Sequence, residues 1–321
     1  MSNKFGHFEK LRFPALSMLL AKGVADYAGQ KWAKHRRILN PAFHLEKLKL
    51  MLPAFSACCE ELVGKWMRSL DPNNSCELDV YPELQSLTGD VISRIAFGSS
   101  YLDGREIFQL QSEQAERLLT NLKKIIIPES ETTSVLLTWT MIVLSMHPEW
   151  QYRARNEILG IFGKNKPEYE GFGRLKTASN VTMILYEVLR LYPPAITFIR
   201  KTCKDMKIGG IAYPAGILIE LPVLFIHHDL EIWGNDALEF NPERFVEGIS
   251  KASKDAGAFL PFGWGPRVCI GQQFALLEAK MAMCMSLQHF EFSLAQAYTH
   301  APHNVTFLRP MHGAQIKLCA I

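Results

Sequence analysis

Residues 131–146 constrain the fold of this chain more than any other segment. They read ETTSVLLTWTMIVLSM, with apolar or small hydroxyl side chains on every helical face. A helix that is apolar nearly all round must be covered by protein on every side. His147-Pro148 ends the segment and opens a following helix, because proline restricts the residue before it and fits a first turn. We therefore expect a central buried helix around which the rest of the chain packs.

Composition places the chain among globular proteins. Its 321 residues are 48% hydrophobic and 21% charged, which is too hydrophobic for a disordered chain. The net charge of +3 is too small to indicate a nucleic-acid partner. Length alone predicts about two domains, but the motifs described below converge on one site. We therefore expect a single domain over residues 1–321.

Cysteine usage and hydropathy bear on the compartment. The seven cysteines include no C-x-x-C pair and no zinc-finger spacing, which predicts free thiols in a reducing compartment or on a cytosol-facing surface. No apolar run reaches the about 18 residues of a membrane span. The N-terminal residues lack the apolar stretch of a signal peptide. We expect a chain without an anchor or an export signal.

Hydrophobic periodicity predicts a mostly α protein with a small β portion (α+β). Up to about residue 192, helical spacing is interrupted by Asn-Pro, Asp-Pro and Gly signals. Beyond that point, short β-like runs alternate with glycines and prolines. The predicted helices begin near residue 30 and cover 45–70, 81–97, 105–124, 131–146 and 175–192, and the predicted strands are ITFIRKT, IAY, ILIEL, FEFSL and QIKLC.

Residues 259–280, FLPFGWGPRVCIGQQFALLEAK, have the composition of a ligand-binding loop. Cys269 stands just before a run of good helix formers, whose first N–H groups favour a thiolate. Arg267 adds positive charge, and glycines at 263, 265 and 271 allow sharp turns and the close approach of a flat ligand. The alternative for any single cysteine is a small, buried apolar residue.

Two charged motifs precede this loop. Glu187 and Arg190 stand three residues apart on an otherwise apolar helix, so they share a face and form a pair that is costly to break when buried. Taken alone, such a spacing also describes a surface pair. Arg244, in NPERF, supplies a planar guanidinium that can join the pair as a third member. Its alternative is a solvated charge in a turn.

The early basic run KWAKHRR presents two donors on one helix face. Trp32 and Arg36 stand at i and i+4, so an indole N–H and a guanidinium face the same way and suit a carboxylate. Lys34 and Arg37 point elsewhere and are available to a partner protein. A nucleic-acid patch is the weaker interpretation, because interleaved aromatic residues are sparse.

Two further groups have a structural and a functional interpretation. Glu131 and Thr132 open the central helix, either as an ordinary acidic first turn or as an acid and a hydroxyl that relay protons beside a cofactor. His227-His228-Asp229 lacks a third ligand at suitable spacing for a metal. We interpret these histidines as structural.

The motifs together resemble those of the cytochrome P450 superfamily. Residues 262–271, FGWGPRVCIG, match F-x-x-G-x-R-x-C-x-G, the haem-binding signature of that family. Stretches such as EVLRLYPP look like the plant clan that includes secologanin synthase, triterpenoid oxidases and hormone-inactivating hydroxylases. The resemblance runs from about Gly29 to the C-terminus. The other family motifs that match, in order, are W-x-x-x-R at Trp32 and Arg36, acid-Thr at Glu131-Thr132, E-x-x-R at Glu187 and Arg190, and P-E-R-F at Arg244.

The resemblance implies an incomplete cytochrome P450-like fold and a haem-thiolate monooxygenase. Such an enzyme carries haem b and uses O2 to hydroxylate a small apolar plant metabolite, here terpenoid or steroid-like. Cys269 would be the axial iron ligand, and Glu131 and Thr132 would deliver protons. The residues implied to hold the haem are Trp32, Arg36, Arg200, Phe262, Arg267 and Gly271, and those implied to lock the fold beneath it are Glu187, Arg190 and Arg244.

The resemblance also implies a partner and a location. Electrons would come from NADPH through cytochrome P450 reductase, with Lys34 and Arg37 as candidates for its docking face. The site of action would be the cytosolic face of the endoplasmic reticulum membrane. A chain without the family's anchor is also compatible with a soluble protein.

The chain departs from the family pattern in two places. The family's membrane anchor, hinge and first sheet strands have no counterpart upstream of Trp32. In relatives the distal helix carries A-G-x-[DE]-T-T, whereas Pro128 and Glu129 stand here in place of Ala and Gly. Proline inside a helix removes a hydrogen bond and clashes with the preceding turn. We therefore expect an internal deletion that removes the roof of the substrate pocket and the first half of this helix.

Two alternatives to monooxygenation stay open. One is a haem-thiolate enzyme that rearranges a hydroperoxide, although the acid-Thr pair argues against it. The other is a truncated product that binds haem poorly or not at all and has no catalytic activity.

Overall fold

The computed structural model describes residues 7–10, 24, 27–97, 131–175, 179–304 and 307–321. In these residues the α-helices are α1 (Gly29–Leu39), α2 (Leu45–Lys49), α3 (Leu52–Arg68), α4 (Val80–Phe97), α5 (Glu131–Met146), α6 (Pro148–Phe162), α7 (Tyr169–Phe172), α8 (Asn180–Leu191), α9 (Val223–His227), α10 (Leu230–Trp233) and α11 (Gln272–His289). Short 3₁₀ turns include Asn40–Phe43, Pro242–Phe245, Ile249–Lys251 and Gly265–Arg267.

Helix α5 lies at the centre of the core. Every residue from Thr133 to Leu144 is buried, which confirms the central helix that its all-round apolar composition predicts. Helices α4, α8 and α11 pack against α5, and so does the strand Phe290–Leu294. Among the described helices, none combines the length and the hydropathy needed to cross a bilayer.

The strands are short and antiparallel. The described strands are β1 (Phe8–Lys10), β2 (Ser75–Asp79), β3 (Phe198–Thr202), β4 (Met206–Ile208), β5 (Ile211–Tyr213), β6 (Leu218–Leu221), β7 (Phe290–Leu294), β8 (Pro302–Asn304), β9 (Leu308–Pro310) and β10 (Gln315–Ala320). One sheet has the order β1-β3-β6, a second has the order β2-β10-β7, and β4-β5 and β8-β9 form two-stranded pairs. The fold is therefore mostly α with a small β portion, as predicted.

Several predicted boundaries differ from the observed ones. The helix predicted over 45–70 is divided into α2 and α3, because Pro53 occupies the first turn of a new helix. The helix predicted from residue 175 begins at Asn180, where the Ser179 hydroxyl accepts a hydrogen bond from the Thr182 N–H. The helix predicted over 105–124 lies outside the described residues. The missed strands are β1, β2, β4, β8 and β9, whose sequences FEK, SCELD, MKI, PHN and LRP contain few of the β-branched and aromatic residues that indicate a strand. Strand β1 lies upstream of Trp32 and pairs with β3, so the expectation that the first sheet strands have no counterpart there is wrong for this strand.

Candidate functional site

A tight loop over residues 262–271, called the cysteine loop below, brings Cys269 to the protein surface. Gly263 and Gly265 have φ angles of 76° and 74°, a region that favours glycine. The 3₁₀ turn of Gly265–Arg267 follows, and the N–H of Cys269 donates to the carbonyl oxygen of Phe262 at 2.9 Å. Cys269 is exposed and forms no disulfide, whereas Cys58, Cys59 and Cys284 are buried in the core. The interpretation of Cys269 as a buried apolar residue is therefore wrong.

Helix α11 starts directly behind the sulfur. Gly271 is its N-cap residue, and a Cβ atom at this position would lie 3.9 Å from the Sγ of Cys269. The first N–H groups of a helix have no partner within the helix and carry partial positive charge. Their position beside the sulfur favours the thiolate form of Cys269.

Two guanidinium groups are tied to the same loop. Arg36, on α1, donates from Nη1 to the carbonyl oxygen of Val268 at 2.9 Å. Burial lowers the pKa of Arg36, and its attraction to Cys269 opposes that shift. The guanidinium of Arg267 lies 4.0 Å from the ring centre of Trp32, which is 6% exposed. Both side chains that the W-x-x-x-R spacing places on one face of α1 therefore contact the cysteine loop or its arginine.

A third guanidinium lies on the sheet and is connected to the loop through one aromatic ring. Arg200 lies on β3, and its guanidinium is 5.7 Å from the ring centre of Phe198. The Phe198 ring is in turn the nearest group, at 3.8 Å, to a Cβ built on Gly263. Burial lowers the pKa of Arg200. Phe262, next to Gly263, is half-buried and packs against the core.

Glu187 and Arg190 form a fully buried ion pair on α8. Arg190 donates from Nε to Oε2 of Glu187 at 2.8 Å and from Nη2 to Oε1 at 2.7 Å. This bidentate geometry uses the planar guanidinium fully. The other hydrogen bonds of Arg190 go to the carbonyl oxygens of His227, Ala237 and Glu239. The sequence pair is thus a core pair that joins three segments of the chain.

Arg244 approaches this pair but makes its hydrogen bonds elsewhere. Its Nε lies 3.6 Å from Oε1 of Glu187, within ion-pair distance. Its Nη2 donates to Oδ2 of Asp236 at 2.9 Å, and its Nη1 donates to Oδ1 of the same residue at 3.2 Å. Asp236 was not predicted, because a single acid in an irregular segment has no spacing to interpret.

His227 connects the buried pair to the segment that leads into the cysteine loop. Its Nδ1 lies 3.1 Å from the carbonyl oxygen of Arg190, and its Nε2 accepts the N–H of Leu260 at 2.9 Å. Nδ1 therefore carries the proton. Burial lowers the pKa of His227 to about 3. The histidine is neutral and structural, as the sequence analysis expected.

The acid of the predicted acid-Thr pair contacts residues from other parts of the fold. The hydroxyl of Tyr81, on α4, donates to Oε1 of Glu131 at 3.3 Å. Burial raises the pKa of Glu131, and the charge of Arg309 on β9 opposes the shift. Thr132 is the next residue in the first turn of α5 and is half-buried. Sequence reasoning missed Tyr81 and Arg309, which come from distant segments without a shared motif.

A second buried acid lies between α5 and α11. Glu278 is 2% exposed and shares a hydrogen bond with Thr133. Its Oε1 has no hydrogen-bond partner in the part of the chain that the structure describes. Burial raises the pKa of Glu278 to about 8, so the group is mostly a neutral acid at pH 7. Sequence reasoning missed it, because Glu in LLEAK looks like any exposed helical charge.

The chemistry of the loop and its neighbours fits one kind of ligand. An exposed sulfur, three guanidinium groups and a glycine-lined approach suit a flat group that carries carboxylates and a thiolate-binding metal. Haem has these properties. The residues present therefore fit haem on the Cys269 side of the site.

Comparisons with known proteins agree with this fit. The chain matches the family model "Cytochrome P450" in two stretches, residues 6–129 and 111–318. It is 50% identical to Cytochrome P450 CYP72A616 of Paris polyphylla, over 399 residues that cover 99% of this chain and 77% of that protein. It is 44% identical to 11-oxo-beta-amyrin 30-oxidase of Glycyrrhiza uralensis, covering 98% of this chain and 76% of that protein. It is 43% identical to Cytochrome P450 72A15 of Arabidopsis thaliana, with 98% and 76% covered.

The lengths of these alignments carry further information. The first extends over 399 residues, whereas this chain has 321, so at least 78 aligned positions have no residue here. Identity nevertheless stays between 43% and 50% over nearly the whole chain. With the family model matching most of its residues, the chain belongs to the cytochrome P450 family, whose proteins carry haem b, and within it to the plant CYP72 clan.

Proposed function

We propose that this chain is a single haem domain in which Cys269 is the axial ligand of the haem iron. As a member of its family, the chain is a monooxygenase of plant metabolites. The proposal adds residue roles and a substrate class. The observation that carries it is the exposed Cys269 thiol, with Arg36 and Arg267 tied to its loop and Arg200 beside it.

Each residue of this side has a separate task. When bound, haem supplies the activation of O2. The Cys269 loop presents a thiolate, and the helix behind it stabilises the negative charge. Trp32 positions Arg267 by stacking, and Phe262 closes the loop through its carbonyl oxygen. Arg36, Arg200 and Arg267 would pair with the haem carboxylates, and Gly271 would keep the space beside the sulfur open.

Glu131 and Thr132 are proposed to deliver protons to the reaction that bound haem would support. The carboxyl of Glu131 has a raised pKa because it is buried. Such a group holds a proton closer to neutral pH than an ordinary glutamate does, which suits general acid–base work. The Tyr81 hydroxyl donates to Oε1 of this carboxyl, and Thr132 is the next residue along the helix.

The substrate class follows from the relatives. One of them is named for the oxidation of 11-oxo-beta-amyrin, and it is 44% identical to this chain. We propose an apolar terpenoid or steroid-like substrate for this chain as well. A name that states an oxidase also favours monooxygenation over hydroperoxide rearrangement.

The proposed electron donor is NADPH–cytochrome P450 reductase. Lys34 and Arg37 lie on α1 and are exposed, whereas Trp32 and Arg36 on the same helix contact the cysteine loop. A basic surface directly behind the thiolate suits an acidic redox partner, because opposite charges steer such encounters. We propose the cytosolic face of the endoplasmic reticulum as the place of reaction.

A second candidate function is a chain without catalytic activity. At least 78 positions of the first alignment have no residue here, and the family model matches in two stretches that meet within residues 111–129. Pro128 precedes α5 in the same region. These observations support an internal deletion next to Glu131. Such a deletion would remove part of the substrate pocket and leave the Cys269 side intact.

A turnover experiment separates the two candidates. The haem-loaded chain is mixed with plant reductase, NADPH and 11-oxo-beta-amyrin, and products are analysed by mass spectrometry. A product heavier by one oxygen atom, lost in Cys269→Ser and kept in Cys203→Ser, supports monooxygenation; Cys203 is also an exposed cysteine. A chain that holds haem but makes no product from this or related terpenoids supports the inactive candidate.

The deletion itself is tested at the nucleic-acid level. A transcript and genomic read across Ile127 to Glu131 shows whether an in-frame segment has been omitted. We expect an omitted segment of roughly the length that the alignment lacks. A continuous exon with nothing omitted would remove this explanation for the missing positions.

A further inference from the structure

Four aromatic side chains form a continuous row from the core to the surface. Trp139, on α5, is fully buried, and its ring stacks on Tyr192 with centroids 4.2 Å apart and planes 10° apart. His300 meets both rings edge-on, at 5.6 Å and 5.9 Å. Tyr298 follows, with its ring centre 6.1 Å from that of His300. Tyr192 and Tyr298 are half-buried and His300 is exposed, so the row ends at solvent.

Hydrogen bonds connect the polar groups of this row. Nδ1 of His300 lies 2.9 Å from the hydroxyl of Tyr298, and Nε2 lies 3.3 Å from the hydroxyl of Tyr192. Burial lowers the pKa of His300 and raises the pKa of both phenols. The imidazole is therefore neutral at neutral pH, with one donor and one acceptor nitrogen. The shorter contact assigns the acceptor role to Nδ1, which receives the Tyr298 proton.

Packing alone does not account for this arrangement. The indole N–H of Trp139 donates to the carbonyl oxygen of Leu308 at 2.6 Å, so its polar group is satisfied without the tyrosines. A packed cluster needs the rings but not a phenol on each side of one imidazole. The His300 imidazole contacts the indole of Trp139 and is hydrogen-bonded to the Tyr298 phenol. A phenol with a proton acceptor in place can lose an electron and a proton together.

We propose that Trp139, Tyr192, His300 and Tyr298 form a redox path that carries one-electron oxidising equivalents from the core to the protein surface. Trp139 lies two turns of α5 beyond Thr132, or roughly 10 Å along the helix axis. In the cell, the oxidant is the haem site of the proposed function when it reacts without a substrate. The use of the path rests on that function, whereas the path itself depends only on these four side chains.

The oxidant gains one electron from the indole of Trp139. Trp139 regains one electron from Tyr298, through the rings of Tyr192 and His300 that lie between them. The O–H bond of Tyr298 breaks, and its proton goes to Nδ1 of His300. A small reductant with a weak O–H bond, such as ascorbate, then returns one hydrogen atom at the half-buried Tyr298, and His300 releases its proton to solvent.

Laser photoionisation of tryptophan tests the path in the purified chain and needs no haem. The light removes an electron from indole rings, including buried ones, and transient absorption follows tryptophan radicals as tyrosyl radicals form. The variants are His300→Gln, Tyr298→Phe and Trp139→Phe. The matched control is Tyr186→Phe, a half-buried tyrosine on α8 that packs against Phe245 and Phe259.

The wild-type chain should show a fast transfer from tryptophan to tyrosine. His300→Gln should slow it about tenfold or more, because a positioned base is lost, and Tyr298→Phe and Trp139→Phe should remove the fast phase. Tyr186→Phe should leave it unchanged. A fast phase with unchanged rate in His300→Gln, or an equal loss in Tyr186→Phe, overturns the proposal. If Trp139→Phe does not fold, His300→Gln, at an exposed position, still tests the path. The measurement needs no haem, so a chain that fails to bind haem can still be tested.

Discussion

The cysteine loop and the start of helix α5 differ in how their predicted residues are held. At the cysteine loop, Arg36 bonds the backbone of the loop and Trp32 stacks on Arg267, so motif residues hold one another. At the start of α5, Glu131 bonds Tyr81, which belongs to no motif. A motif therefore fixes its own geometry where its members contact each other. Where they contact other segments, the motif fixes only the residue type.

The largest expected effect concerns the buried pair that supports the cysteine side. Glu187→Ala leaves Arg190 charged and unpaired in the core, and we expect a loss of about 3 to 5 kcal/mol in the free energy of unfolding. Urea unfolding measures this. The control is Glu243→Ala, which breaks an exposed pair with Arg153 and should cost less than about 1 kcal/mol. Equal losses in the two variants would show that the buried pair contributes no more to the free energy of unfolding than an exposed pair does.

Glu278, which joins the two regions through Thr133, should make stability depend on pH. Its pKa is raised from 4.5 to about 8 on folding, so its contribution is complete below pH 4.5 and is lost as pH rises to about 8. Glu278→Gln should be more stable than wild type by about 3 kcal/mol at pH 7, at about 1.4 kcal/mol per pH unit. The two should converge near pH 4.5.

Unfolding by urea at several pH values measures this difference. The exposed Glu247→Gln serves as control and should follow the wild type at every pH. A Glu278→Gln variant whose stability runs parallel to the wild type between pH 4.5 and 8 would show that the carboxyl is ionised in the folded chain.

His227 should act in the opposite direction and at lower pH. Its pKa falls from 6.5 to about 3 on folding, so its contribution is present above pH 6.5 and is lost as pH falls toward 3. Relative to His227→Gln, the wild type should lose about 2 kcal/mol between pH 6.5 and 5. Urea unfolding in that range measures the loss, with the exposed His303→Gln as control. Parallel curves for wild type and His227→Gln would contradict a neutral, buried imidazole.

The smallest effect is expected at the start of α5. Tyr81→Phe removes the 3.3 Å hydrogen bond to Glu131 and the 3.1 Å hydrogen bond that the Tyr81 hydroxyl accepts from Gln85. Both are long and only partly buried, and we expect a total loss of about 0.5 to 1.5 kcal/mol. Thermal or urea unfolding measures it, and the control is Tyr152→Phe, at an exposed position on α6. A loss as large as that of Glu187→Ala would mean that the acid-Thr end is held as firmly as the cysteine side, and the contrast between the two regions would disappear.

The parts of the fold that sequence predicts are those set by local pattern. The burial of helix α5 is predicted by its apolar faces. The cysteine loop is predicted by its glycines and by the helix that begins within ten residues of them. The 3.6-residue period of α1 places Trp32 and Arg36 on one face. In each case the relevant neighbours are close in sequence, so the interactions that set the geometry can be inferred from spacing.

The parts that sequence did not predict depend on single residues brought together by the fold. Asp236 accepts hydrogen bonds from Arg244, and His227 accepts the N–H of Leu260. Glu278 on α11 shares a hydrogen bond with Thr133 on α5. None of these residues has a period or a repeated spacing, and each acquires its environment only when separate segments pack. The row from Trp139 to Tyr298 belongs to the same class.

The reduced carbon-monoxide difference spectrum of the haem-reconstituted chain tests the central claim most directly. The claim is that the cysteine side is complete and that Cys269 ligates the haem iron. We predict a thiolate-type Soret band that is lost in Cys269→Ser and kept in Cys203→Ser. A wild-type chain that takes up haem without this band, or a band that survives in Cys269→Ser, would contradict the account.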